Sequence, residues 1–277
     1  MPAIRLGQDE RNMTPLPTAE SLEASWKSER RPWSTFNERL DREQIPYLSH
    51  TKLICHERCP RCYYRRYVLC EMEEPSNAML LGQLFHQSAR EYYHAIRNGR
   101  EPKAAEMIKA LDTGGLPKDS VKLLRNAVTL LRLHRWQGHD VVLLEEPFFM
   151  DLARGLPPMI GIPDLVLRRH DWLLVVDHKT SKSFNDLDSA QLLLYAEHLR
   201  RRHVTHCIVG VFDEYRLVPD LTKVIKPAFR RTPISVDRSL LASLIRRYRK
   251  AWKDISNMRR DRYPAAAPDC WKCNGSW

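Results

Sequence analysis

The spacing of apolar and polar residues predicts helices first, and then strands with further helices between and after them. Over residues 78–100 apolar side chains recur every three or four positions, as expected for a helix with one buried face. The same spacing predicts helices over 103–111, 118–136, 190–202 and 236–258. Apolar and β-branched runs predict strands over 141–150, 159–167, 172–180, 204–212 and 222–226. The hairpin of 159–167 and 172–180, with Arg169-His170-Asp171 as its turn, carries most of the candidate chemistry.

The first 45 residues differ from the rest because they are polar and are interrupted by four prolines. We therefore predict a partly ordered arm over 1–45, with short helices at 19–27 and 37–43, before one domain over 46–277. Ser49 is placed to cap a helix that leads into the first cysteines.

The central hairpin places charged residues on otherwise apolar strand faces. Side chains alternate along a strand, so Asp177 and Lys179 share a face with Leu173 and Val175. Asp164 ends an apolar face of the partner strand. Buried charges are costly unless they are paired or bind a metal. Two adjacent carboxylates suit Mg²⁺ or Mn²⁺. The alternative interpretation is a salt bridge between Lys179 and one of the aspartates, which has no catalytic role.

Residues outside the hairpin are candidates for completing a cation site. His86 lies at the edge of the apolar stripe of 78–100, where a core histidine without a ligand role is the simpler interpretation. Glu145 and Glu146 lie in the strand 141–150, and we expect one of them to approach the metal and the other to face solvent.

Composition points to a polyanionic partner. The chain has 277 residues and is 43% hydrophobic, which suffices for one large domain or two small ones. Its formal net charge of +11 favours nucleic acid, although a basic surface kept for solubility gives the same charge. The sequence contains neither an apolar run of membrane-spanning length nor a signal peptide, so we expect a cytoplasmic protein without a membrane partner.

The cysteines fall into two groups near the two ends of the chain. Cys59-Pro-Arg-Cys62 and Cys270-Trp-Lys-Cys273 are C-x-x-C pairs, and four thiolates suit Zn²⁺ or an iron–sulfur cluster. Seven cysteines in an intracellular chain are not expected to form disulfides. We predict a structural metal clasp that joins the two ends.

The spacing Cys55-x-x-x-Cys59-x-x-Cys62 also matches that of radical-SAM enzymes. That motif normally opens a β/α barrel. The region after Cys62 predicts helices and then hairpins, without alternating strands and helices, and this order argues against a radical-SAM enzyme.

Three motifs together resemble a known family. Pro163-Asp164 followed by Asp177-x-Lys179 resembles the signature of the PD-(D/E)XK nucleases. Gly82-x-x-x-His86 before the strands and Gln191-x-x-x-Tyr195 after them resemble the helices of the RecB- and AddB-like branch. A capping box with Asp188 explains Gln191, and packing explains Tyr195, without a catalytic role.

The resemblance implies a restriction-endonuclease-like α/β fold, with a central mixed sheet flanked by helices and the active site at the bend of the hairpin. It implies that His86, Asp164, Asp177 and the backbone carbonyl of His178 bind Mg²⁺ or Mn²⁺. Lys179 would act on the attacking water or on the phosphate, and Gln191 and Tyr195 would steady Lys179 or contact DNA.

The function implied is a metal-dependent DNA exonuclease acting on single strands or ends in recombination, repair or phage DNA processing. DNA is then the main partner, and recombination or replication proteins are the expected protein partners. The alternatives are an inactive DNA-binding module with a cysteine-bound metal, and a restriction-type endonuclease.

The cysteine layout resembles AddB-type and CRISPR-adaptation nucleases, which bind a [4Fe–4S] cluster with one cysteine before the core and three after it. This chain departs from that pattern, because only Cys270 and Cys273 lie at the back. We expect Cys59 and Cys62 from the front, with Cys55 and Cys70 as alternatives to Cys62. A [4Fe–4S] cluster is expected, with structural Zn²⁺ as the alternative.

Overall fold

The structure is a computed structural model that describes residues 16–30, 32–71, 74–111, 113, 116–184, 186–203, 207–258 and 262–274. Residues 1–15 of the predicted arm and 204–206 of a predicted strand lie outside them. The helices are α1 (Ala19–Glu29), α2 (Trp33–Arg42), α3 (His50–Arg58), α4 (Pro60–Tyr63), α5 (Asn77–Arg97), α6 (Ala104–Lys109), α7 (Lys118–Leu133), α8 (Ala190–Arg202), α9 (Leu241–Ile255) and α10 (Trp271–Asn274). Among the described helices, none combines the length and the apolar character needed to cross a membrane.

A mixed five-stranded sheet forms the centre of the fold. The strands are β1 (Asp140–Leu144), β2 (Phe148–Met150), β3 (Met159–Gly161), β4 (Leu165–Arg169), β5 (Trp172–Ser181), β6 (Cys207–Arg216) and β7 (Phe229–Ile234). The sheet order is β1-β4-β5-β6-β7, and β2 and β3 form a separate antiparallel pair. Among the described strands of the larger sheet, β5 and β6 run parallel and the other neighbouring pairs run antiparallel. Helix α8 makes the crossover that a parallel connection requires.

Helices cover both faces of the sheet. One apolar cluster joins the sheet to α5, α6 and α7, and a second joins it to α8 and α9. Helix α1 through Leu22 and helix α2 through Phe36 and Leu40 form a third apolar cluster with Phe149 of β2. The predicted α/β class with a central mixed sheet between helices is confirmed.

Two predicted strands are each broken into two, because the chain turns where the sequence suggests continuity. The run 159–167 divides into β3 and β4 at Pro163, which has no N–H to donate to a strand partner. The run 141–150 divides into β1 and β2 at Glu145, whose φ of 48° is left-handed. These two breaks place Glu145 beside the start of β4, where its backbone N–H donates to the Asp164 carbonyl oxygen at 3.3 Å.

Three other predictions need correction. Residues 222–226 form no strand, because Asp220 caps a short 3₁₀ turn at Leu221–Lys223 and the last strand begins at Phe229. The long helix begins at Leu241 rather than at 236, after a 3₁₀ turn capped by Asp237. The apolar run 204–212 also suggests that Cys207 is a buried thiol, but Cys207 is exposed at the start of β6.

Candidate active site and cysteine cluster

Asp164 lies at the bend between β3 and β4, against the middle of β5. Its Oδ2 atom accepts a hydrogen bond from the His178 backbone N–H at 2.7 Å, and its Oδ1 atom lies 3.3 Å from His86 Nδ1 on α5. Burial favours the neutral acid, yet His86 and the His178 N–H lower the pKa of Asp164 to about 2. Burial likewise opposes a charged imidazole, but Asp164 raises the pKa of His86 to about 9. The carboxylate is therefore held ionised in a buried place.

Glu145 joins this pair to form a group of potential metal ligands. One ligand atom from each of His86, Glu145 and Asp164 lies within 4.8 Å of the other two. Burial and the neighbouring Asp164 raise the pKa of Glu145. A bound cation would reduce the repulsion between these two carboxylates. Two carboxylates and an imidazole are donors that suit Mg²⁺ or Mn²⁺. A cleft of about 520 Å³ beside Gln83 and Arg90 leads to them.

Asp177 lies outside that group and belongs to a second chain of contacts. Its Oδ2 atom is 2.6 Å from Lys179 Nζ, and Lys179 Nζ donates to Gln191 Oε1 at 3.1 Å. Gln191 Nε2 in turn donates to the Tyr195 hydroxyl at 2.8 Å. Burial raises the pKa of Asp177 to about 6 even though Lys179 opposes this. The salt bridge and the Gln-Tyr pair, which the sequence offers as separate interpretations, form one continuous arrangement.

Gly161 explains why Tyr195 can lie so close to the strands. A Cβ atom at position 161 would lie 2.6 Å from the Phe148 ring and 2.7 Å from Cε1 of Tyr195. A side chain at 161 would therefore displace the phenol from its position.

The His178 ring points away from Asp177 and Lys179, because consecutive strand residues face opposite sides of the sheet. It is buried and stacks on Tyr93 of α5, with ring centroids 6.1 Å apart and an interplanar angle of 12°. His178 thus contributes its backbone N–H to this site, as the donor to Asp164. Its carbonyl as a metal ligand stays a prediction.

The four cysteines of the two C-x-x-C pairs lie together, although they come from opposite ends of the chain. Their Sγ atoms all lie within 4.8 Å of one another. The shortest separations are 3.4 Å for Cys62–Cys273, 3.5 Å for Cys62–Cys270 and 3.8 Å for Cys59–Cys273. Burial raises the pKa of the Cys59 thiol, but the Ala267 N–H and other donors outweigh it and lower the pKa to about 6. Cys55 and Cys70, the alternatives to Cys62, are not in this cluster.

The family comparison agrees with this geometry. A family model described as the PD-(D/E)XK nuclease superfamily matches residues 47–276. The chain belongs to the PD-(D/E)XK nuclease superfamily. No curated protein matches the sequence.

As a member of the PD-(D/E)XK superfamily, the chain is expected to act as a nuclease on DNA, and nucleases of this superfamily generally use divalent metals. The matched range contains both the acidic group around Asp164 and all four clustered cysteines. It begins after α2, so the two N-terminal helices lie outside it.

Sequence reasoning left two features of the site unresolved. It could not choose between Glu145 and Glu146, because only the turn at 145 decides which acid faces Asp164. It also offered a capping box for Gln191, whereas Asp188 accepts from the Ala190 N–H at 2.9 Å and Gln191 contacts Lys179. Both outcomes depend on tertiary contacts rather than on local spacing.

Proposed function

We propose that this protein is a Mg²⁺- or Mn²⁺-dependent DNA exonuclease that acts on single strands or DNA ends, in recombination, repair or phage DNA processing. The observation that carries the proposal is the meeting of His86, Glu145 and Asp164 beside the Asp177–Lys179–Gln191 chain. We extend it to the RecB- and AddB-like branch because of the Gly82-x-x-x-His86 and Gln191-x-x-x-Tyr195 motifs. Recombination or replication proteins are the partners that such a role requires, and we assign the protein to the cytoplasm.

The residues divide the work of phosphodiester hydrolysis. His86, Glu145 and Asp164 would hold the cation, with Asp177 and the His178 carbonyl at its margin. A bound divalent ion supplies charge stabilisation at the phosphate and activates water. Lys179 is held between Asp177 and Gln191, where an ammonium group donates to a water or to a phosphate oxygen. Tyr195 fixes the orientation of the Gln191 amide, because its hydroxyl accepts a hydrogen bond from Gln191 Nε2.

Replacement of Asp177 or Lys179 by Ala tests the assignment. Each variant should lose at least about a hundredfold of the cleavage of a single strand, since each removes a group that acts in the transition state. DNA binding, measured by anisotropy, should remain. The exposed Lys182→Ala is the matched control and should cut like wild type.

Strands labelled separately at the 5′ and 3′ ends give the direction of cleavage in the same assay. Wild-type rates in the Lys179→Ala variant would contradict the catalytic assignment. Binding without cleavage by wild type in both Mg²⁺ and Mn²⁺ would favour the inactive DNA-binding module. Discrete fragments from a closed circle would indicate an endonuclease.

For the cysteine cluster we propose a structural metal held by Cys59, Cys62, Cys270 and Cys273. The family resemblance favours [4Fe–4S], but the sulfur spacing favours one ion. Four thiolates about 2.3 Å from one tetrahedral Zn²⁺ lie about 3.8 Å apart, close to the distances observed. Sulfurs that each bind a different iron lie further apart. Iron and zinc analysis of anaerobically purified protein decides: about four irons per chain supports the cluster, and about one zinc supports the single ion.

A further inference from the structure

A second cavity adjoins the candidate active site on the side of the N-terminal helices. It has a volume of about 530 Å³, which lies within the range of roughly 300–1,000 Å³ typical of small-ligand sites. Helix α2 forms one wall through Trp33, Ser34 and Asn37, and Tyr195 of α8 forms part of the opposite side. Helix α2 lies outside the range that the family model matches.

The cavity adjoins the cleft that leads to the proposed metal ligands. Gln83 lines both this cavity and the cleft of His86 and Glu145. Ile162, two residues before Asp164, lines it as well. A nucleotide whose phosphate lies at the metal ligands could therefore place its base in this cavity.

The lining has the mixed character of a nucleobase site. Trp33 is half-buried and is held against Phe36 and Phe149, with ring centroids 5.8 and 6.1 Å away, so its indole is a rigid surface for stacking. Asn37 Oδ1 already accepts from the Tyr47 hydroxyl, so its amide nitrogen is the group that a ligand can use. His50 lines the cavity with a buried Nδ1 atom that has no hydrogen-bond partner among the described residues.

Charge determines which part of a nucleotide fits. Asp41 and the exposed Glu38 line the cavity, and their carboxylates would repel a phosphate group. Lys52 neutralises Asp41, with Nζ 2.7 Å from Oδ1, but this lysine is itself buried. The exposed Arg66 lies at the same cavity, where it can meet a backbone phosphate of the strand.

We infer that this cavity binds one unpaired nucleobase of the DNA strand next to the phosphate being cleaved, and that α2 is its recognition wall. The inference rests on the proposed nuclease function. A base can enter such a cavity only when it is unpaired and unstacked. The N-terminal helices would then give the enzyme its preference for single strands and frayed ends.

An abasic scan tests this inference. A single abasic residue is moved stepwise along an end-labelled single strand, and kcat/KM is measured at each position. Stacking of about 1–3 kcal/mol per base predicts a loss of roughly 5- to 150-fold at one position relative to the cut. Changes below about twofold at every position would overturn the inference.

A cavity-filling variant connects the effect to α2. Ser34→Phe places a ring in the cavity without removing a packed side chain, so it should abolish the dependence on that base. Thr35→Phe, exposed on the same helix but not lining the cavity, should keep it. Equal dependence in the two variants, with equal unfolding midpoints, would contradict the role of α2.

Binding measurements separate this inference from the nuclease proposal. Fluorescence anisotropy of the same strands with the Asp177→Asn variant measures their binding without any need for cleavage. If wild type cuts no strand, the proposed nuclease function fails. Weaker binding of one abasic strand than of the other strands would still support the base site, provided that Ser34→Phe removes this difference. Equal binding of all strands would overturn the base site alone.

Discussion

Lys179 shows how two elements together fix the orientation of one side chain. Strand β5 supplies Asp177 at 2.6 Å, and helix α8 supplies Gln191 at 3.1 Å. A lysine with only the first partner would be an ordinary ion pair. The second partner fixes the direction of the ammonium group and connects it to Tyr195, so the catalytic interpretation depends on helix packing.

Gly161→Ala should destabilise the protein by about 1–3 kcal/mol, because the added methyl overlaps the Phe148 and Tyr195 rings in a packed region. It should also lower kcat by displacing Tyr195 from Gln191. Urea denaturation and initial rates measure the two effects.

Gly82→Ala is the stability control for this change. Its added Cβ would lie at an ordinary 3.6 Å from Thr180 Oγ1, and Ala favours the interior of α5. Similar loss of unfolding free energy in both variants would contradict the argument from close packing.

His198 should make the free energy of unfolding fall as the pH is lowered. Its ring is buried and stacks on Phe148 at 4.1 Å, and burial together with Arg202 lowers its pKa to about 3. The unfolded histidine binds a proton near pH 6.5, so its stabilising contribution is complete above that pH and is lost as the pH falls toward 3.

Urea titrations between pH 7 and 4 measure this slope. His198→Phe keeps a ring on Phe148 and should flatten the slope by up to about 1.4 kcal/mol per pH unit. His94→Phe, exposed on α5, is the surface control. An unchanged slope in His198→Phe would assign the acid sensitivity to other groups.

At the scale of elements, two interrupted strands form the candidate active site. The breaks at Pro163 and Glu145 let the chain leave the main sheet and form the β2–β3 pair. This departure places Asp164 and Glu145 at the edge of β5 next to α5, which supplies His86. If the two strands were uninterrupted, Asp164 and Glu145 would lie within the sheet and would not meet His86 of α5.

Arg247 of α9 connects α3, just before the first clustered cysteine, to the start of α8, the helix that carries Gln191 and Tyr195. Its guanidinium contacts Glu57 of α3 at 2.7 Å and Asp188, which precedes α8, at 3.0 Å. The three groups are partly exposed, so screening limits their contribution to about 1 kcal/mol. Arg247→Met should lose about that much at low salt, and less in 0.5 M salt as screening increases (roughly a 4 Å Debye length).

The cleavage rate should fall in the same variant, because Asp188 also accepts from the Ala190 N–H at the start of α8. Arg249→Met, exposed on the same helix, is the control. A loss of stability that does not depend on salt would show that Arg247 acts through packing instead.

At the scale of the whole molecule, the cysteine cluster closes the chain on itself. Cys270 and Cys273 belong to the last described segment, and their contacts with Cys59 and Cys62 hold that segment against α4. Arg61 adds a hydrogen bond to the Pro264 carbonyl oxygen at 3.0 Å. Trp271 of the same segment is 78% exposed and therefore adds little packing.

Cys273→Ser should release the proposed structural metal and lower the free energy of unfolding by more than about 2 kcal/mol, since metal binding contributes directly to folding. Metal content and urea midpoints measure both changes. Cys207→Ser, at an exposed cysteine outside the cluster, should match wild type. Full metal content in Cys273→Ser would exclude Cys273 as a ligand.

The sequence by itself determined the α/β class, most helices and the superfamily, because these follow from local periodicity and from residue types in short motifs. It also predicted the pairing of the two C-x-x-C motifs, because four thiolates suit one metal site. The residues proposed for catalysis remain predictions until variants are assayed. Only the tertiary structure decided that 141–150 and 159–167 turn, that Glu145 rather than Glu146 faces Asp164, and that α2 lines a cavity beside Tyr195. These features depend on backbone turns and on contacts between residues far apart in the chain, which hydrophobic spacing does not encode.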